Sequence, residues 1–275
     1  MKRYYILLLT ILVTVLASCS KDAGEDRWIH YSDLGIIEEL GTAGSEFYFK
    51  MMRDDGVTLL AVENGSQDYE LHEGKRVYCA YEIIETQYDQ NGNKICLIAV
   101  LGFDDILSKP VVRRSFIMQD YEHRTDSIGN DLIRAIYDRA WLGGNHLNIE
   151  FEYMKAKNSS GKHMINLVWD DMNPESGVIN LYLCHNAYGE TRENQYDMER
   201  AVGFVSFPIL ETVPDGIEEV TLRLHYNWNG LETSTSEEYM EKTFKPNSLS
   251  STPVIIGNTG DNLVITPPDA IFYLE

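Results

Sequence analysis

The sequence lacks the short motifs that mark the commonest catalytic sites. It contains no G-x-x-x-x-G-K-[ST] phosphate loop, no H-E-x-x-H zinc-binding helix and no G-x-S-x-G nucleophile elbow. Its histidines are scattered along the chain instead of lying at metal-ligand spacing. We therefore expect no enzymatic activity, no metal site and no cofactor.

Carboxylates leave one catalytic alternative open. The pairs Asp104-Asp105 and Asp170-Asp171 do not form a calcium cage alone, because adjacent residues of a strand point to opposite faces. A glycosidase needs two carboxylates that can lie far apart in sequence, so it stays an alternative, although no such pair stands out.

Basic residues are scarce. The chain has 23 Lys and Arg against 43 Asp and Glu, a formal net charge of -20. Such an acidic surface repels phosphate backbones and anionic membrane surfaces, so we expect no nucleic-acid partner. Cationic peptides, cations and neutral glycans are easier partners. A simpler interpretation is that acidity only keeps the protein soluble.

Cysteine is scarce as well, with four residues in the chain. If Cys19 is modified, as argued below, Cys79, Cys96 and Cys184 remain, an odd number that allows at most one internal disulfide. A tight turn at Asn91-Gly92 would not place Cys79 opposite Cys96. We expect reduced, buried thiols.

The sequence has no long apolar run at its start, only a short one. Lys2 and Arg3 precede the apolar residues 6–16, and Leu16-Ala17-Ser18-Cys19 follows. The run has the length of a signal-peptide core and is too short to span a bilayer. Residues 1–18 resemble a bacterial lipoprotein signal peptide, with Cys19 as the lipidated first residue of the mature protein. An ordinary secretory signal is the alternative.

A lipid anchor places the protein in the cell envelope. We expect attachment to the outer membrane, either on the periplasmic side or exposed at the surface, because acyl chains buried in the bilayer hold a protein to it. Without Lys2 and Arg3 the mature chain has a net charge of -22. Residues 19–35, which begin with small and charged side chains, are expected to form a flexible acidic tether.

Residues 36–115 alternate between apolar and polar side chains, with turn residues between the runs. The candidate strands 46–51 and 57–62 flank Asp54-Asp55-Gly56, and the strands 76–84 and 94–101 flank Asn91-Gly92. About five short strands in this length predict a small OB-like β-barrel.

Residues 116–275 also follow a strand pattern over most of their length. Apolar positions between 131 and 141 have helical spacing, so a short helix or an irregular linker is expected there. From His146 onward the chain alternates cleanly, as in 147–153 and 220–228, and two such sheets must stack to bury their apolar faces. The predicted fold class is all-β: a small OB-like barrel followed by a β-sandwich.

Several segments together resemble a known family. They are the lipobox, the barrel-like region ending at 100–107, the stretch Trp141-Leu142-Gly143-Gly144-Asn145, and residues 181–189. In these the chain is similar to the NigD-like lipoproteins of the Bacteroidetes. The resemblance implies an N-terminal OB-type domain and a C-terminal β-sandwich. It also implies an immunity-like role, because the family is named for a gene beside a bacteriocin locus. It supplies no catalytic residues.

These observations predict a non-enzymatic envelope protein that binds a peptide, a protein or a glycan. Tyr188, in a polar loop, is the best candidate for a ligand-binding aromatic residue. The alternation places Tyr226 and Trp228 on the core side of their strand. Two functions compete: an immunity-like interaction protein, and a glycan-binding accessory lipoprotein. An envelope hydrolase is the third possibility.

Overall fold

A computed structural model describes residues 30–65, 69–120, 127–135, 139–157, 162–190, 197–213, 216–226, 238–246 and 254–256. Cys19 and the expected signal peptide lie outside these residues. In the described part the chain forms a closed barrel followed by a two-sheet sandwich, so the predicted fold class is confirmed. No helix within these ranges is long and apolar enough to cross a membrane.

Five strands form the barrel. They are β1 (His30–Leu40), β2 (Phe49–Arg53), β3 (Thr58–Asn64), β4 (Arg76–Tyr88) and β5 (Lys94–Asp105). The order around the barrel is β1-β2-β3-β5-β4, and β1 closes it by pairing with β4. Both predicted hairpins, β2–β3 and β4–β5, are present. Alternate side chains fill the interior, including Ile37, Phe49, Met51, Leu59, Tyr81 and Ile98.

The sandwich follows without a break. Its elements are β6 (Val112–Arg113), α1 (Arg114–Met118), β7 (Ile133–Ala135), β8 (Ala140–Gly143), β9 (His146–Ala156), β10 (Met164–Trp169), β11 (Val178–Asn186), β12 (Met198–Pro208), β13 (Val220–Tyr226), β14 (Glu238–Phe244) and β15 (Val254–Ile256). One sheet has the order β14-β13-β11-β10-β6 and the other β12-β9-β8-β15, with β7 also on β9. Their facing apolar side chains form one buried core.

The expectation of a short helix or an irregular linker between 131 and 141 is wrong. This stretch contains β7 and β8, both paired with β9. All four residues of β8 are buried, because the strand lies inside the sheet between β9 and β15. Apolar spacing over so short a run fits a helix or two strands equally well, and pairing with β9 decides between them.

The structure differs from the expected boundaries at two places, the start of the barrel and the start of the sandwich. β1 begins at His30, so residues 30–35 of the expected tether belong to the barrel. Val112 and Arg113 pair with β10, so the sandwich begins before residue 116. The start of β1 is largely polar and β6 has only two residues, which is why the sequence pattern did not identify either as a strand.

Cys79, Cys96 and Cys184 are buried, and none of them forms a disulfide within the described part of the chain. The register of β4 and β5 pairs Cys79 with Phe103, and Cys96 with Thr86, as expected from the turn. Burial raises the pKa of the Cys79 thiol far above its ordinary value, and Asp33 adds to this effect. Cys79 is therefore an unreactive core residue.

Candidate binding groove at the barrel–sandwich junction

A groove of about 900 Å³ lies on the outer surface of the barrel, bordered by the β8–β9 turn of the sandwich. Ile36 on β1 pairs with Met52 on β2. Met52 in turn pairs with Thr58 on β3, and Thr58 pairs with Ile95 on β5. Leu60 faces the groove two residues after Thr58. One row of outward side chains therefore crosses four strands and gives the groove a mainly apolar floor.

Two of the acids at the rim are paired with a base. Lys50 lies 2.9 Å from Glu38, and the Arg53 guanidinium lies 2.6 Å from Asp55. Each acid is thus compensated by a neighbouring base, so these pairs add little net charge to the groove.

The β4–β5 turn closes one end of the groove. The Asp89 carboxylate accepts hydrogen bonds from the backbone N–H groups of Asn91 and Asn93, at 2.7 and 2.8 Å. The Asn93 side-chain amide also donates to it at 2.7 Å and contributes most to lowering the pKa of Asp89. These bonds hold the turn in one conformation, so the rim here is shaped before any partner binds.

A buried arginine beside the groove forms hydrogen bonds to both the barrel and the sandwich. Nη2 of Arg76 donates to Asp54 at 2.7 Å, within the barrel, and to Asn148 of β9 at 2.9 Å. Its Nε donates to the Ser206 hydroxyl of β12 at 3.2 Å. The side chains of Arg76 and Asp54 are only 1% and 9% exposed. Such a desolvated network is strong only when its members all keep their partners.

Two glycines let the sandwich approach this network. Gly144 and Asn145 both have positive φ, of 54° and 63°, as a tight two-residue hairpin turn requires. A Cβ on Gly143 would lie 2.7 Å from the Asp54 Cβ, and the Gly144 N–H donates to the Asp54 carbonyl at 3.2 Å. Only glycine at 143 allows such a close approach.

The structure places Tyr188 outside the groove. Its side chain is 54% exposed, in the turn after β11, with a φ of 48°. The Tyr188 N–H donates to the Asn186 side chain at 2.8 Å, which fixes the turn. Its role in ligand binding stays a prediction. Tyr226 packs half-buried against the sandwich core, as predicted, and Trp228 lies outside the described residues.

Two buried histidines lie in the same region as Tyr188. Nδ1 of His163 is 2.8 Å from Nε2 of His185, and Nε2 of His163 is 3.1 Å from the Glu190 carboxylate. Burial and the neighbouring His163 lower the pKa of His185 to about 4. Burial raises the pKa of Tyr153, which packs against both imidazoles, to about 12. The 2.8 Å between the two imidazole nitrogens is the length of a hydrogen bond, so Glu190, His163 and His185 form a hydrogen-bonded chain.

Nothing in the described ranges forms a metal centre, since no group of three or more His, Cys, Asp or Glu side chains is placed to hold an ion. The carboxylate pair at 170–171 has separate partners. Asp170 binds the Arg114 guanidinium at 2.8 Å, whereas Asp171 accepts the Ser115 N–H at 2.8 Å. These contacts attach α1 to the end of β10.

The groove does not follow from the sequence pattern. Its floor residues occupy ordinary outward positions on four strands, and only the registers between the strands bring them together. The position of Arg76 indicates the buried network only weakly. An arginine at the start of an apolar strand is compatible with an exposed strand edge as well as with a buried ion pair.

Comparisons with known proteins agree with this fold. The model of the NigD-like C-terminal beta sandwich domain matches residues 115–240. A structure from Parabacteroides distasonis, described as a toxin-related protein, has 20% identity and a TM-score of 0.56, covering 80% of this chain and 96% of its own. A protein of unknown function from Bacteroides vulgatus has 19% identity and a TM-score of 0.52, covering 79% and 90%.

A NigD-like immunity protein from Bacteroides caccae has 17% identity and a TM-score of 0.49, covering 78% of this chain and 97% of its own. No curated protein matches the chain. The family-model match confirms the resemblance seen in the sequence: the chain carries the C-terminal β-sandwich domain of the NigD-like family at residues 115–240.

Proposed function

We propose that this protein is a lipid-anchored, non-enzymatic interaction protein of the cell envelope, of the immunity-like kind, which holds an apolar segment of a peptide or protein partner in its groove. The observation that carries the proposal is the row of outward side chains formed by Ile36, Met52, Thr58 and Ile95. Apolar side chains grouped in a solvent-accessible groove are typical of binding surfaces.

The dimensions of the row suit an extended segment. Adjacent strands lie about 4.8 Å apart, so four strands make a row of about 14 Å, the length of roughly four extended residues. Because the floor is mainly apolar and the rim acids Glu38 and Asp55 are paired with bases, the contact itself is expected to be mostly apolar. The partner's side chains would supply the specificity.

The net charge of the mature chain favours a cationic partner. At -22 the protein attracts basic peptides over long distances and raises their association rate. A cationic bacteriocin has this character. The NigD-like domain and a structural relative described as toxin-related support an immunity-like role.

Survival of cells tests the proposed role. The gene is deleted, and the cells are challenged with bacteriocins from neighbouring strains. We expect the deletion strain to die at lower bacteriocin concentrations than the parent. Unchanged survival against every bacteriocin would count against the immunity-like role.

Lipid labelling tests the anchor separately. Metabolic labelling with palmitate should mark the protein, and Cys19→Ala should lose both the label and the membrane fraction. An unlabelled protein, with the variant fractionating like the parent, would refute anchoring.

A further inference from the structure

A cross-strand row of rings positions an exposed tyrosine on the outer face of the β14-β13-β11-β10-β6 sheet. The register pairs Tyr182 of β11 with His225 of β13, and His225 with Tyr239 of β14. The His225 ring lies 4.6 Å from the Tyr182 ring and 5.4 Å from the Tyr239 ring. Tyr182 and His225 are buried, whereas Tyr239 is 50% exposed. Because the buried His225 ring packs against it, and Tyr182 in turn stacks on His225, Tyr239 presents a pre-positioned aromatic surface.

The neighbouring positions on this face are polar and mutually compensated. Arg223 donates to Glu241 at 3.1 Å and to Glu175 at 3.0 Å. The hydroxyls of Thr221 and Thr243 lie 2.9 Å apart. Arg223 and Glu241 therefore lie about 7 Å along the strands from the His225–Tyr239 pair, and the two threonines lie about 13 Å away on the same face. Each of these groups is held by a polar partner.

We propose that this face, centred on Tyr239, binds a neutral glycan. A sugar ring has an apolar face of C–H groups, which packs on an aromatic ring, and a rim of hydroxyls, which bonds to planar polar side chains. Arg223 offsets one of the two glutamates beside it, so the face keeps a small negative charge. Together with the net charge of the chain, this disfavours anionic sugars. The site is separate from the groove.

Calorimetry with the full chain, purified in detergent, tests the assignment. The probes are neutral glucan, mannan and xylan hexasaccharides, and a polygalacturonate hexasaccharide of the same length. We expect binding of at least one neutral probe and none of the uronate. Tyr239→Ala should weaken that binding by about tenfold or more, because the stacking surface is lost. Tyr239→Phe, which keeps the ring, should bind within about threefold of the parent.

Matched variants separate this site from the rest of the molecule. Tyr88→Ala removes a 68% exposed tyrosine of the barrel and should leave glycan binding unchanged, as should Leu60→Glu in the groove. Near-ultraviolet circular dichroism of Tyr239→Ala verifies its fold. The assignment is overturned if no neutral probe binds, if Tyr239→Ala binds like the parent, or if the face instead binds an oligolysine peptide in a Tyr239-dependent way.

Discussion

At the scale of single residues, the ion pair of Arg76 and Asp54 has the largest energetic consequences. Each side chain is almost completely removed from water, and each satisfies the charge of the other. Removing one partner leaves a buried charge without compensation, whereas a solvent-accessible pair such as Lys50–Glu38, with both side chains 34% exposed, contributes little to stability.

We therefore predict that Arg76→Ala lowers the free energy of unfolding by about 3–5 kcal/mol. Urea denaturation measures this change. Lys50→Ala, a control at a half-exposed ion pair, should cost less than about 1 kcal/mol. The double variant Arg76→Ala/Asp54→Ala should lose less than the sum of its single variants, because it leaves neither charge unpaired. Equal effects of Arg76→Ala and Lys50→Ala would contradict this account.

Buried histidines make stability depend on pH. The pKa of His185 and that of His225 are both lowered to about 4, chiefly by burial, and further by His163 and Arg223 respectively. The unfolded chain binds these protons more readily, with a histidine pKa of about 6.5. Stability is thus fully present above pH 6.5 and is lost as the pH falls towards 4.

We predict that His225→Phe reduces this loss. The phenyl ring keeps the stack between Tyr182 and Tyr239 but does not titrate. Between pH 6.5 and 4 the parent should lose about 2 kcal/mol more free energy of unfolding than the variant. Denaturation at a series of pH values measures the difference. His72→Gln, at an exposed site, should follow the parent, and parallel curves for parent and His225→Phe would refute the prediction.

At the scale of elements, the β8–β9 turn depends on the absence of a side chain at one position. A methyl group at 143 would collide with Asp54, so Gly143→Ala must displace either the turn or the ion pair. Gly102, within β5, has no heavy atom within 4 Å of an added Cβ. Alanine substitutions at Gly143 and Gly102 therefore compare a crowded position with an open one.

Gly143→Ala is expected to destabilise the protein by about 1–3 kcal/mol, the usual cost of overpacking. Gly102→Ala should be neutral or slightly stabilising, because alanine loses less backbone entropy on folding. Thermal unfolding of both variants measures this contrast. Equal melting temperatures would show that the turn has room for a side chain.

The elements that the sequence predicted well are determined by residues close to one another in the chain. Asn91-Gly92 and Asp54-Asp55-Gly56 specify their hairpins through turn geometry, and alternation in β9 and β13 specifies one buried face. β7 and β8 were missed because they are short and depend on pairing with β9. The groove was missed for a related reason, since its floor forms only when four strands pair in the observed registers.

At the scale of the whole molecule, two sets of contacts join the barrel to the sandwich, one polar and one apolar. The polar contact is the hydrogen-bond network of Arg76. The apolar contact is a small cluster of Ile106, Trp141 and Phe204, against which Leu34 and Tyr78 of the barrel pack. The sequence predicted both units, but it did not predict their contact, because no periodicity encodes an interface between domains. The groove that borders this contact is where the proposed function would be exercised.

A survival assay with groove variants tests the central claim most directly. Cells lacking the gene receive the parent, Leu60→Glu or Ile84→Glu, and are challenged with the bacteriocin that kills the deletion strain. Leu60 lines the groove, whereas Ile84 is an exposed apolar residue of β4 outside it. With equal amounts in the membrane fraction, we predict that Ile84→Glu protects like the parent and Leu60→Glu does not. Full protection by Leu60→Glu would contradict the account.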